Sequence, residues 1–378
     1  MGAARPRLAG QLTAPGDGKR VAGLDPGTIS FDVCGLHDGE VCLDLSLPTA
    51  ELAGDPRPLV DALVRHGPFE LVLGPSGYGL PLVGVEQLGQ RELSLMLLVR
   101  ADERGAQVGI GGLRASIRAL AAARLPLVFA PAVIHLPTVP AHRKWNRIDM
   151  GTADKVAAAA LCVVDQARRL QIPPAASSFI MLELGGAFTA ALAVQDGQIV
   201  DGLGGSSGPI GARACGALDG EVAYLLGGAL SKQTLFGGGA LVDAGELDFA
   251  DLRALESSRR DPRLRDGWTA LEEGATKAVL ALSATVSAPR EILLSGRLAA
   301  LAELRAALER RLSHLAPLRT VTGLGARASS AAQGAAVIAD GLVGGRHAGV
   351  VEQLGITRAH GSALDHVRLP GAESIKLA

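Results

Sequence analysis

The sequence predicts an α/β protein of two similar domains facing each other across a cleft. Three observations carry this reading. The stretch Leu24-Asp25-Pro26-Gly27-Thr28-Ile29-Ser30 through Asp38-Gly39-Glu40-Val41 is echoed without a gap, 158 positions later, by Leu182-Glu183-Leu184-Gly185-Gly186 through Asp196-Gly197-Gln198-Ile199. In each copy an apolar strand ends in an acidic residue, a glycine turn follows, and a second strand runs into an Asp-Gly pair. That pair is a strong hairpin signal, because both central residues tolerate the positive φ of a type I′ turn. Each copy is then followed by alternating strand and helix patterns, which extend a three-stranded meander into a mixed sheet covered by helices.

The elements follow in order. After a Gly/Pro/Arg tail over 1–20, expected to be flexible, strands are predicted over 21–24, 29–36 and 40–45. A helix over 58–65 leads to a strand over 70–73 that stops at Gly74-Pro75. Leu113, Ile117 and Leu120 keep helical spacing with arginines between, predicting a helix over 113–124, and 127–130 reads as a buried strand. Residues 133–152 join the halves and carry His135, His142, Arg143, Lys144, Arg147 and Asp149, a polar joint suited to a cleft wall. The second half opens with a helix over 152–170, started by Asp154-Lys155 and ended before Pro173-Pro174. Strands follow over 179–182, 188–194 and 199–203, helices over 218–230 and 269–286, a strand over 291–294, a helix over 298–312, a strand over 318–321 and a helix over 330–342. The expected domains are thus 21–150 and 151–342, and 343–378 has no assigned role.

Bulk composition narrows the function. The chain has 378 residues, enough for two domains with their own cores. Its 37 Lys+Arg against 38 Asp+Glu mark no nucleic-acid or anionic-membrane surface, so a small-molecule or protein partner is favoured. The core must be built of Ala, Val, Leu and Ile, since 48% of residues are hydrophobic but only 3% aromatic. Mean hydropathy is +0.27, yet the most apolar stretch, 125–139, is interrupted by three prolines and a histidine and is too short to cross a membrane. The first 20 residues have no apolar signal core. Cys34, Cys42, Cys162 and Cys215 form no C-x-x-C pair and read as small buried hydrophobes in a reducing, cytoplasmic setting.

The chemistry-bearing residues point to phosphate and a metal. Asp25 and Glu183, at opposing strand ends, can hold Mg²⁺ through its waters, because that ion dehydrates reluctantly and uses one or two carboxylates. Gly27, Thr28, Gly185 and Gly186 let backbone approach phosphate. Ser295-Gly296 ends a strand and starts a helix, where a nucleotide meets bare backbone. Arg143, Arg147 and Lys155 are candidate cations, as is Lys144, and Asp149 or Asp154 candidate acids, with Asp154 also suited to the helix start. His135 and His142 lack a third ligand and read as structural. The glycine runs over 109–112 and 237–239 miss the dinucleotide fingerprint and read as loops.

At these residues the pattern resembles the superfamily shared by actin, hexokinase, the heat-shock chaperone ATPase and acetate kinase. Its phosphate-one motif resembles 24–30, including Ser30; its phosphate-two motif 182–189, including Thr189; its adenosine motif 292–297; and its two connecting helices 152–170 and 331–342. The resemblance implies two ribonuclease-H-like domains, a duplicated βββαβαβα unit with mixed sheets and an ATP cleft between them, with ATP and Mg²⁺ as cofactors. Ile148-Asp149-Met150-Gly151-Thr152-Ala153-Asp154-Lys155 and Ser231-Lys232-Gln233-Thr234-Leu235-Phe236-Gly237-Gly238-Gly239-Ala240 resemble the acetokinase branch, and more particularly an uncharacterised family described as predicted butyrate kinases. Met150 and Asp154 stand where the acetokinase His-Gly-Thr-Ser-His-Lys motif has histidines, and Leu218 where a further motif has arginine. The resemblance implies a kinase acting on a small acceptor such as a short carboxylate, with a pocket near 74–78 and 133–149 and a homodimer left open; an ATP-driven switch of the same fold is the alternative.

Overall fold

The computed structural model describes residues 18–75, 77–101, 113–245 and 247–377. The tail over 1–17 and the glycine run over 109–112 lie outside the described residues.

In the first half, β1 (Arg20–Pro26), β2 (Ser30–His37) and β3 (Glu40–Pro48) are followed by α1 (Thr49–Gly54), α2 (Arg57–His66) and β4 (Leu71–Pro75). A two-residue β5 (Val83–Gly84), α3 (Gln90–Leu97), α4 (Leu113–Ala122), β6 (Leu127–Ala130) and the single turn α5 (Ala141–Lys144) complete it. The second half runs through α6 (Ala153–Leu170), β7 (Phe179–Leu184), β8 (Thr189–Gln195), β9 (Gln198–Leu203), α7 (Gly220–Leu226), α8 (Lys232–Leu235), α9 (Leu252–Ser258) and α10 (Arg265–Ser283). Then come β10 (Glu291–Ser295), α11 (Ala302–Leu312), β11 (Leu318–Thr320), α12 (Ser330–Leu342) and α13 (Ala348–Leu354).

The sheets are ordered β3-β2-β1-β4-β6-β5 and β11-β10-β7-β8-β9. In both, the first strand of the meander pairs antiparallel with the second and parallel with the strand that follows the crossover. The repeat extends to backbone detail. Asp38 and Gly39 have φ of 51° and 79°, and Asp196 and Gly197 have 52° and 71°, the left-handed pair that the hairpin signal requires. Register shifts fall between Gly35 and Leu36 and between Ala193 and Val194, the same place in each copy.

Each sheet has an outer core, and a third core lies between the sheets, where α6 and α12 cross. Although α12 comes late in the chain, it packs on β1, β2 and β4 of the first sheet as well as on α6. Small residues make this approach close. A Cβ on Gly23 would lie 2.1 Å from the Ala336 nitrogen, and one on Gly334 would lie 1.8 Å from the Ala157 carbonyl oxygen. The alanine-rich composition therefore has a packing role: Ala157 to Ala160 are all buried along the crossing.

Three sequence expectations change. The helix expected over 218–230 shortens to α7, which buries none of its residues and leaves Tyr224 and Leu225 each 80% exposed. The chain turns out at Gly227-Gly228, where Gly227 has φ of 47°. Cys42 is exposed, because β3 is an edge strand with one face open, whereas Cys34 and Cys162 are buried as expected. The unassigned C-terminal segment is docked: α13 packs on α12 and α6, the His360 N–H donates to the His135 carbonyl, and the Arg368 guanidinium lies 3.8 Å from the Trp145 ring centroid. Among the described residues no helix is long and apolar enough to cross a membrane.

Candidate active site

The two glycine turns are built alike and face each other. Gly27 donates its N–H to the Ser30 carbonyl at 2.9 Å, and Gly185 donates to the Phe188 carbonyl at the same distance. A Cβ on Gly186 would stand 3.4 Å from Ile29 Cδ1 and 3.9 Å from Thr28 Oγ1, so the second turn looks directly onto the first. Thr28 is exposed, and Ser30, Gly27, Gly185 and Gly186 are partly exposed.

Behind these turns the acidic strand ends meet the start of α6. Lys155 Nζ lies 2.5 Å from Asp154 Oδ2 and 3.2 Å from Glu183 Oε1. The remaining oxygens are held by hydroxyls: Thr152 Oγ1 donates to Asp154 Oδ1 at 2.5 Å, and Ser295 Oγ donates to Glu183 Oε2. Asp25 accepts from Ser329 Oγ at 2.7 Å. Burial, and then the negative charge of Asp154, push the Asp25 carboxyl up to about 7 against the pull of Ser329 and Lys155. Burial works against ionisation of Asp154 too, but Lys155 and Thr152 outweigh it and hold that carboxyl below its usual range. For Lys155 the order is similar: burial disfavours its charge, and the surrounding acids, led by Asp154 and then Glu183, more than restore it.

Five of the expected residues, Asp25, Asp154, Lys155, Glu183 and Ser295, are thus brought together, although they come from β1, α6, β7 and β10. The others are placed differently. Asp149 is occupied in its own turn: its carboxylate accepts from the Gly151 N–H at 3.1 Å and from the Ser206 N–H and Oγ, each at 2.9 Å. Arg143 donates to the Val200 carbonyl at 2.8 Å and lies 4.0 Å from Asp201 on β9, and the charge of Arg147 also acts on Asp201. An acid on β9, Asp201, lies beside both of these candidate cations. Thr189 is fully buried in β8, and its hydroxyl has no partner. Met150 is 1% exposed and lies in the core between the sheets. Gly296 has φ of 86°, and a Cβ there would lie 2.5 Å from the Leu184 carbonyl oxygen; glycine is required first by the backbone.

Sequence reasoning missed Ser329, which caps α12 by accepting from the Ala332 N–H at 3.1 Å while it donates to Asp25. Beside it, Asp32 accepts from the Ser329 N–H at 3.1 Å, and Asp44 accepts from the Arg327 and Ala328 N–H groups, each at 2.8 Å. The Ser-Ser pair before an alanine run is a legible cap signal, but nothing local says which acid it meets. A cation–π contact also spans the halves, with Lys232 Nζ 4.3 Å from the Tyr78 ring centroid.

Among the described residues no three His, Cys, Asp or Glu side chains are set to coordinate one ion directly. The donor set fits a hydrated Mg²⁺, which keeps its waters and uses one or two carboxylates; Asp25 and Glu183 are the carboxylates that would serve it. The ammonium already lodged between Asp154 and Glu183 shows that this place takes positive charge.

Paired meanders, crossing helices and acidic strand ends meeting at one cleft define the two-domain ATPase-like fold. The structure superposes on acetate kinase from Entamoeba histolytica with a TM-score of 0.56 and 14% identity, covering 79% of this chain and 87% of that one. Propionate kinase from Francisella tularensis subsp. tularensis SCHU S4 gives 0.56 and 14%, covering 84% and 98%. Acetate kinase from Porphyromonas gingivalis gives 0.54 and 14%, covering 79% and 88%. At this identity the likeness establishes the fold. The chain belongs to the family described as "Protein of unknown function (DUF1464)", whose model matches residues 23–369. No curated protein matches it.

Proposed function

We propose that this protein is an ATP-dependent phosphotransferase acting on a small acceptor, with a short-chain carboxylate as the acceptor class. The observation that carries the reading is the convergence of Asp25 and Glu183, equivalent residues of the two repeats, on one polar cluster with Asp154 and Lys155 beneath two facing glycine turns. Phosphoryl transfer is mainly positioning and charge neutralisation, and this arrangement has the parts for both. Gly27, Thr28, Gly185 and Gly186 would lie against the phosphates, the β10 end at Ser295-Gly296 against the nucleoside, and Asp25 and Glu183 would hold the metal through water. Bound there, Mg²⁺ would neutralise phosphate charge. The likeness in fold to acetate and propionate kinases supports a carboxylate as acceptor.

The alternative, an ATP-driven switch without a metabolite acceptor, draws support from Met150, which stands at an acetokinase histidine position and is buried in the core, and from Arg143, which is engaged by Val200 and Asp201. ADP release, measured with acetate, propionate, butyrate, isobutyrate and longer acids, separates the two. Stimulation by any of these acids supports the kinase. Magnesium-dependent ATP binding with no stimulation by any acid favours the switch, and no ATP binding overturns both.

A further inference from the structure

We infer that Lys155 is a resident counter-cation of the acidic cluster that a divalent metal displaces, so that metal binding moves its ammonium toward the cleft. This rests on the reading of the cleft as a Mg²⁺–nucleotide site.

The geometry separates what is fixed from what can move. Asp154 and Glu183 each have one oxygen held by a hydroxyl, from Thr152 and Ser295 respectively, and each turns the other oxygen to Lys155. The carboxylates are therefore pinned. The lysine side chain, in contrast, is held only by its ion pairs with Asp154 and Glu183; its N–H donates to the Thr152 carbonyl at 2.9 Å, and its charge sits on a flexible four-carbon stem. Its side chain keeps 14% exposure to solvent. A hydrated divalent ion held by Asp25 and Glu183 would draw on the Glu183 carboxylate that Lys155 now pairs with, and two cations sharing that acid repel each other. The ion carries the larger charge, and phosphate oxygens in the cleft are the natural destination for a displaced ammonium. Lys155 thereby acts as a positioning residue: it keeps the acids together in the metal-free protein and couples metal binding to nucleotide binding.

The test uses the full-length protein without nucleotide, titrated with Mn²⁺ and followed by electron paramagnetic resonance. Lys155→Met is expected to bind Mn²⁺ about tenfold tighter than wild type, the usual scale of such coupling, and Lys155→Arg to stay near wild type. Equal or weaker Mn²⁺ binding by the Met variant overturns the inference. A second measurement needs no variant: acetylation of Lys155 by an amine-directed reagent, read by mass spectrometry, is expected to accelerate when Mg²⁺ is added, and an unchanged rate overturns the proposal. Calorimetry of ATP with the wild-type protein keeps the two readings apart. Magnesium-dependent ATP binding beside unchanged Mn²⁺ affinities removes the counter-cation alone, whereas the Mn²⁺ gain without any ATP binding supports it and removes the nucleotide reading.

Discussion

Asp25 and Glu183 occupy the same place in two copies of one backbone device, yet their surroundings differ. Asp25 accepts from the cap of α12, a helix from the far end of the chain, and feels Asp154 as a like charge. Glu183 is shared between the Lys155 ammonium and the Ser295 hydroxyl. The duplication supplies two equivalent strand ends, and the helices that cross between the sheets make them unequal. Glu183 is thus charge-matched within the protein. Asp25 sits where burial and the like charge of Asp154 push its carboxyl up to about 7.

The largest expected effect tests whether both copies belong to one site. Asp25→Asn should lower phosphoryl transfer by roughly 10²–10³-fold, the scale for removing one electrostatic stabiliser, with Glu183→Gln in the same range; wild-type turnover at saturating Mg-ATP in either variant would break the equivalence. Next in size, Gly296→Val should cost about 1–3 kcal/mol or more of stability, because the side chain meets the Leu184 backbone in a positive-φ residue. The thermal unfolding midpoint should fall even without ligand, and an unchanged midpoint would show that the glycine is kept for the nucleotide alone.

A smaller effect sharpens the asymmetry through pH. The folded Asp25 carboxyl titrates at about 7, above its ordinary 3.8. The stability tied to its proton is therefore present below the unfolded value and is lost as pH rises through 7. In metal-free protein Asp25→Asn should raise the melting midpoint at pH 8 by about 2–6 °C, with the gain vanishing near pH 3. A gain independent of pH would contradict the assignment. The smallest effect belongs to Arg143→Ala, which should cost about 1 kcal/mol through the lost bond to the Val200 carbonyl while turnover stays close to wild type. A large loss of turnover would return that arginine to the phosphate.

Much of the frame was legible in the sequence because its signals are local. The Asp-Gly turns, the acidic strand ends and the apolar runs of β6 and α12 announce themselves within a few residues, and β6 and α12 fall on the expected bounds. The chemistry that depends on long-range contacts was legible only in part. Lys155 was a plausible cation by type, but its bridge between Asp154 and Glu183 depends on how α6 meets β7. Ser329 gave a cap signal and no hint of Asp25, which lies 304 positions earlier. Arg143 and Asp149 show the same dependence: charge at a domain joint suggests a cleft, and only the folded path shows the bonds both make to β9 and to the 204–207 loop. The burial of Met150 likewise follows from the sheets closing on α6, which no short motif reports.

The central claim is that two residues from two repeats form one metal–nucleotide site, and a double-mutant cycle measures it most directly. Calorimetric ATP affinities, each with and without Mg²⁺, are needed for wild type, Asp25→Asn, Glu183→Gln and the double variant. Either single change should remove most of the Mg²⁺-dependent affinity and the second should add little, a strongly non-additive cycle. Additive losses, or Mg²⁺-dependent binding that survives in the double variant, would contradict it.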